Sequence, residues 1–468
     1  MPIRSAINPF LRFASCAFLL LVATAGAATE TLHTLTLVQA RAIAVQALQA
    51  GRPELTLQLA DGLLRADPRD PFTHYLMAHA HARQNEPSAA RKSAARAYRF
   101  SSEHGDKFEA AQLAAQLSYA EEKPTLTQLW LRRSAIHAPN EKMEQVVARD
   151  FRKVRAANPW AFRIRGDLRP SSNVNNGADT ALQIIDGVPV TGFLSGTAQA
   201  LSGLIGSLDV ATTYRLQSSP QSATSVGGRL YIQRVALSSE AQQLAPTARN
   251  SDYATTYAEL SVRHGFAVGQ PGRGGAAWVD LAAGRAWSGD ASNYSFARLS
   301  GERSWRLRGG QRLRINALVE DRFDSRYATN DAQVFGLGAQ LMQPLQNGDQ
   351  VTFTLALRDS NASHFNGTYM SGSVRTNYAF DQPVGGMRFN AGLVLGYSDY
   401  PVYQSGLFIV PGGRQDKSVY GDFGILFERY DYAGFAPMLR LRAGRKSSND
   451  SRFDIQELSV SLGIESKF

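Results

Sequence analysis

Cysteine is nearly absent. The one thiol in 468 residues is Cys16, which lies inside an N-terminal apolar run, so a chain cleaved after that run carries no disulfide, thiol nucleophile or cysteine metal site. Long apolar runs are missing too. Beyond Phe13 to Ala23 no stretch could form a membrane-crossing helix, and an integral membrane form must therefore be a barrel. Catalytic signatures are also lacking. No Gly-x-Ser-x-Gly elbow occurs, the last two thirds hold only His264 and His364, and Gly272 to Gly275 lack the Lys-Ser/Thr of a phosphate loop. No enzyme activity and no cofactor are expected. His74, His79 and His81 are spaced by five and two, which does not set them on one helical face, so no metal is expected either.

Positive charge is in excess, with 50 Lys and Arg against 40 Asp and Glu and a net charge of +10. Such an excess suits nucleic acid, a membrane surface or anionic cargo. The N-terminus decides the compartment. Arg4 and Arg12 precede the apolar run, and Ala25-Gly26-Ala27 supplies a small-x-small cleavage pattern, so residues 1–27 are expected to be an export signal. No nucleic acid partner is expected. Apolar residues continue past Cys16, so lipidation is not expected there.

Residues 28–157 read as a helical domain rich in Ala, Leu, Gln and Arg. A shift of thirty-four places Ala44 on Ala78, Gly51 on Asn85 and Ala60 on Ala94, with Ala66-Asp67-Pro68 closing the first unit. Small residues where helices cross, a tight turn and an exit proline mark a tetratricopeptide-like (TPR-like) pair. A looser third copy runs from Phe108 through Trp130 to Ala138-Pro139, and Glu141 to Arg155 forms a last amphipathic helix. Stacked pairs of this kind bind peptides or partner proteins on a concave face.

At Asn158-Pro159-Trp160 the period changes to two, and residues 158–468 read as an antiparallel barrel of about fourteen strands. The fold class is thus α plus transmembrane β. Leu313, Ile315, Ala317 and Val319 oppose Arg312, Arg314, Asn316 and Glu320. Phe353, Leu355 and Leu357 oppose Thr352, Thr354 and Arg358. Phe389, Leu393, Leu395 and Tyr397 oppose Arg388 and Asn390, while Leu439 and Leu441 oppose Arg440 and Arg442. Charges facing hydrocarbon cost several kcal/mol, so the polar sets are expected to line a wet lumen and the apolar sets to meet outer-membrane lipid.

Long connections, 169–203, 237–250 and 398–417, are expected outside, and tight ones, such as Arg308-Gly309-Gly310, in the periplasm beside the helical domain. Tyr214, Trp278, Trp287, Tyr294, Trp305, Tyr378 and Tyr430 are expected in interfacial girdles.

The combination resembles the surface lipoprotein assembly modulator family. The likeness is sharpest at Asn158-Pro159-Trp160 and at Ser172-Asn173-Val174-Asn175-Asn176, and weaker over Gly434 to Leu439 and Lys467-Phe468. It implies an outer-membrane factor that delivers lipoproteins or other secreted proteins to the surface. A client of that kind and the barrel-assembly machinery, which would read Phe468, are the implied partners. Ser466 departs from the expected terminal pattern of two large apolar residues. Asn173, Asn175 and Asn176 are expected to order their loop. A glycan-exporting or passive pore is the alternative reading.

Overall fold

The computed structural model describes residues 35–269, 274–289, 291–430, 432 and 435–466. The export signal, Lys467 and Phe468 lie outside the described residues. Seven helices come first: α1 (Leu37–Gln49), α2 (Pro53–Ala66), α3 (Pro71–Arg83), α4 (Pro87–Phe100), α5 (His104–Ala120), α6 (Pro124–Ile136) and α7 (Glu141–Ala157). Thr36 opens α1 with a capping box to Gln39.

The first six helices form three pairs, each turned by the same backbone device. Gly51, Asn85 and Glu122 take left-handed φ values of 74°, 59° and 56°. One residue further on, the amides of Arg52, Glu86 and Lys123 donate to the carbonyls of Ala47, His81 and Ser118, the six-to-one bond of a Schellman end. Pro53, Pro87 and Pro124 then begin the second helix, where a missing N–H costs nothing. Ala44, Ala78 and Ala115 are buried at one equivalent position, and Ala60, Ala94 and Leu131 at another. The third pair is therefore as regular as the first two.

The helical core is built around Trp130, Leu131, Val147 and Phe151. No described helix is long and apolar enough to cross a membrane.

Fourteen strands close into one ring: β1 (Trp160–Ser171), β2 (Gly203–Ser218), β3 (Ser222–Leu237), β4 (Thr255–Val268), β5 (Gly275–Ser288), β6 (Ala291–Arg306), β7 (Arg312–Phe323), β8 (Ala332–Pro344), β9 (Gln350–Ala362), β10 (Tyr369–Ala379), β11 (Arg388–Tyr400), β12 (Arg414–Leu426), β13 (Phe435–Ser448) and β14 (Ile455–Ser466). Each pairs antiparallel with its neighbours in sequence, and β14 returns to β1 through Asp167–Gly463, Leu168–Leu462 and Ser171–Ser459. Every segment expected from the alternation is present. The largest shift is at β12, which starts at Arg414 and ends at Leu426 because residues 428–430 form a short turn.

The ring wears its apolar set outside. Phe162, Ile164, Leu260, Leu281, Leu337, Leu357, Leu395, Leu458 and Leu462 are all exposed, Leu260 by 74% and Leu458 by 69%. Left in water, a belt this continuous would be unfavourable. Against hydrocarbon it is favourable at roughly 25 cal/mol per Å2, and the closed ring leaves no strand edge unpaired. The protein therefore has an outer-membrane barrel.

Trp160 and Tyr214 pack at a tilt on the outer face with centroids 4.8 Å apart, in keeping with a girdle. Trp278 and Tyr294 do not join it. They share strand parity with Asp280 and Phe296, so they face the lumen, where Arg263 and Arg322 lie over their rings at 4.2 and 4.5 Å. Each ring gains more from a guanidinium than from the interface.

The helical domain is pinned to one rim, here the near rim. The Asn158 amide donates to Thr125 Oγ1 at 3.1 Å, and its carbonyl oxygen accepts from the Trp160 amide at 3.0 Å. Arg215 Nη2, at the end of β2, donates to the carbonyls of Ala156, Ala157 and Asn158 at 3.0 to 3.2 Å. That cation neutralises the negative end of α7. Arg132 of α6 lies 4.5 Å over the ring of Phe435, where β13 begins.

Candidate functional site

Most carboxylates of the lumen wall are held by arginines. Across the middle and toward the far rim, acids and bases are matched. Asp209 receives two bonds from Arg229, and Arg263 reaches Asp280 at 3.0 Å. Arg298 spans from Glu259 at 2.6 Å to Glu320 at 3.4 Å, and Arg322 meets Glu320 at 2.8 Å.

On the opposite side Asp422 takes Arg375 at 2.9 Å and Arg442 at 3.3 Å, while Glu457 takes Arg442 and, across the closing seam, Arg169. Some of these pairs skip a strand. Arg375 crosses β11 above Gly392, where an added Cβ would stand 3.6 Å from its Nη2.

Of the wall residues expected from sequence, Glu320, Arg388 and Arg442 carry ion pairs, Arg388 with Glu428 at 3.0 Å. Asn316 and Asn390 fill the space beside Gly338 and Gly424. Arg358 keeps a buried Nε without a hydrogen-bond partner. Arg312, Arg314 and Arg440 have no ion pair among the described residues. Arg440 and Arg442 line a cavity of about 350 Å3 together with Asp167, Arg169, Tyr231 and Asp422.

Reading the sequence missed Arg163, Arg165, Arg229, Glu259, Arg263, Asp280, Arg298, Arg375 and Asp422 as wall residues. Their strands are interrupted on the outward face by Gly, Ala, Ser and Thr, which blurs the alternation. The parity of β1 was still available, since Phe162 and Ile164 alternate with Arg163 and Arg165.

At the far rim the connections between β1 and β2, β3 and β4, β11 and β12, and β13 and β14 interlock. The Asn173 side chain bonds both ways to Gly177, and Asn175 Nδ2 donates to the carbonyls of Thr197 and Gln199. A Cβ at Gly177 would stand 2.2 Å from the Gln199 carbonyl oxygen, so only glycine fits. A hairpin, Leu182–Ile185 with Val188–Phe193, extends from that loop over the adjoining arc of β11–β14. There Gln183 Nε2 donates to Ser405 and to the fully buried Asp450, and the Ile184 amide donates to Ser451. Val174, Leu201, Ile205, Val235, Leu237, Ala241 and Ala245 form an apolar cluster beneath.

No group of three metal-ligating side chains forms among the described residues. His74 turns to the Pro68 carbonyl, His79 to the ring of Tyr75 and His81 to Glu86. His264 meets Thr224 on the outer face at 2.9 Å, and the His364 ring accepts from the Asn366 amide.

No protein-family model matches the chain, and no curated protein sequence does. Among solved structures, the outer membrane channel DcaP of Acinetobacter baumannii is 9% identical, with a TM-score of 0.36, over 67% of this chain and 98% of that one. CdiB from Acinetobacter baumannii is 11% identical, with a TM-score of 0.35, over 64% of this chain and 59% of CdiB. The helices align with the type III secretion translocator chaperone SycD of Yersinia enterocolitica at 13% identity and a TM-score of 0.24, over 29% of this chain and 96% of the chaperone. None of these identities carries an activity across.

Proposed function

We propose that the protein is an outer-membrane translocation and assembly factor that delivers a lipoprotein or another secreted protein to the cell surface. The observation that carries this reading is the pinned joint. A helical-repeat domain fixed by Asn158, Arg215 and Arg132 at the rim of a wet, charged barrel suits capture followed by transfer, whereas a passive pore needs no fixed receptor. The near rim is then periplasmic, and the far loops are at the surface. The resemblance to surface lipoprotein assembly modulators at Asn158-Pro159-Trp160 supports the same reading, because those residues make the joint.

The test is surface display of a lipoprotein or secreted protein encoded beside this chain and expressed with it. Display should require both the barrel and residues 35–157. Display that persists without the helical residues, together with a large steady conductance in the absence of client, would favour a glycan-exporting or passive pore.

A further inference from the structure

Five arginines of the near lumen have no ion pair among the described residues. Arg312 and Arg314 begin β7 at the near rim, and Arg163 and Arg165 lie three and five residues into β1 from the same rim. Arg440 lies five residues into β13. All five have the strand parity of lumen residues, namely Glu320 on β7, Asp167 beside Ser207 on β1, and Arg442 on β13. None makes an ion pair among the described residues; Arg163 and Arg165 stand near Asp209, whose carboxylate Arg229 already holds with two bonds.

Ring order places them on two sides. β7 is seven strands from β14, and β1 and β13 flank β14, so Arg312 and Arg314 face Arg163, Arg165 and Arg440 across the lumen. Two nearby lumen carboxylates lack an ion pair among the described side chains: Glu302 of β6, opposite Asn316 in the register, and Asp167 of β1, which accepts from Ser207.

The spacing specifies the ligand. Two arginines at i and i+2 on one strand face stand about 7 Å apart along the wall. Carboxylates at alternate positions of an extended polypeptide repeat at the same interval. Resting on the transport reading above, we infer that the near half of the lumen is a receiving site for an extended peptide segment with acidic residues at alternate positions. The segment is gripped between the Arg312/Arg314 wall and the Arg163/Arg165/Arg440 wall. Farther up, Arg358 also lacks an ion pair among the described residues, but most other lumen arginines there are held by carboxylates, so the grip is centred on the half beside the helical domain.

The experiment uses the full-length protein in planar bilayers, with an alternating Glu-Ser peptide, an alternating Lys-Ser peptide and hyaluronate added on the helical-domain side. The Glu-Ser peptide should bind and interrupt the current, with an affinity that falls steeply with salt. Replacing the five arginines with Gln should weaken it by about tenfold or more, while Arg285→Gln on the outer face should leave it unchanged. Heat-modifiable gel mobility verifies that each barrel has folded. Equal binding of the Lys-Ser peptide, unchanged affinity in a folded five-Gln variant, or hyaluronate binding with the same arginine dependence would each overturn the inference. Client display separates the two readings. Display lost with the helical domain but intact in the five-Gln variant removes the receiving site and leaves the transport role. Display that never depends on this protein removes the transport role.

Discussion

The ring of Phe296 lies face to face with that of Tyr257, 5.3 Å between centroids and 11° from parallel, in the space Gly284 leaves on the strand between them. An added Cβ at Gly284 would stand 2.7 Å from the Phe296 ring and 2.3 Å from the Ala258 carbonyl oxygen. Gly284→Ala should therefore destabilise the barrel by about 1–3 kcal/mol, the usual cost of overpacking. A lower temperature for loss of heat-modifiable mobility would show it, and an unchanged transition would contradict the packing described.

Arg215 supplies one charged side chain to three carbonyls at the end of α7. Hydrogen bonds to charged groups contribute about 1.5–3 kcal/mol, so Arg215→Ala should loosen the joint while leaving both domains folded. Limited proteolysis should then cut near residues 156–160 about tenfold faster. A cleavage rate equal to that of the parent chain would show that the joint holds without it.

Gln183 links the hairpin of the first far loop to Ser405 and Asp450, on loops of the adjoining arc across the closing seam. Gln183→Ala combined with Ser451→Ala should free the hairpin and increase fluctuations in single-channel current, without change in barrel stability beyond about 1 kcal/mol. Quiet traces from the double variant would mean that these bonds do not hold the crown in place.

Burial holds the imidazoles of His74, His79 and His137 below the ordinary histidine range. Nearby cations add to the effect: Arg96 for His74, Arg83 for His79, and His104 with Lys107 for His137. The folded form thus binds these protons less readily than the unfolded chain. The associated stability is complete above the unfolded value of about 6.5 and is lost as pH falls below it toward the lowered folded values. The helical domain should melt at a lower temperature at pH 5.5 than at pH 7.5, while the barrel transition stays nearly constant. His137→Gln should reduce the difference.

Much of the fold could be read from period and punctuation. Strands such as β7 and β9 carry uninterrupted alternation, and Ile315, Val319, Phe353 and Leu355 are all exposed on the outer face as that pattern demands. Gly51 and Asn85 marked turns because both tolerate a left-handed backbone, whereas Glu122 does so against its preference and gave no signal.

The wall charges were harder. Parity tells which face an arginine takes, but not that Arg298 reaches two strands at once or that Arg312 reaches no carboxylate. Those depend on ring closure, which brings β14 to β1 and sets β7 opposite. The Trp278 and Tyr294 assignments failed for a different reason: position near a strand end suggested the interface, while parity placed the rings inside.

The far rim is uneven. Its long interlocked loops belong to β1–β4 and β11–β14, which are contiguous around the ring, while β5 and β6 are joined by only residues 289–290, with Gly289 at φ 62°. The mouth is consequently hooded on one side and open on the other, like a cowl. On the proposed transport reading, a chain emerging along the axis should leave away from the hood, over the β5–β6 notch. A bulky epitope inserted at Gly289 would obstruct its departure, whereas the same epitope at Leu407, which projects from the hood with 92% of its surface exposed, would stand clear of the path.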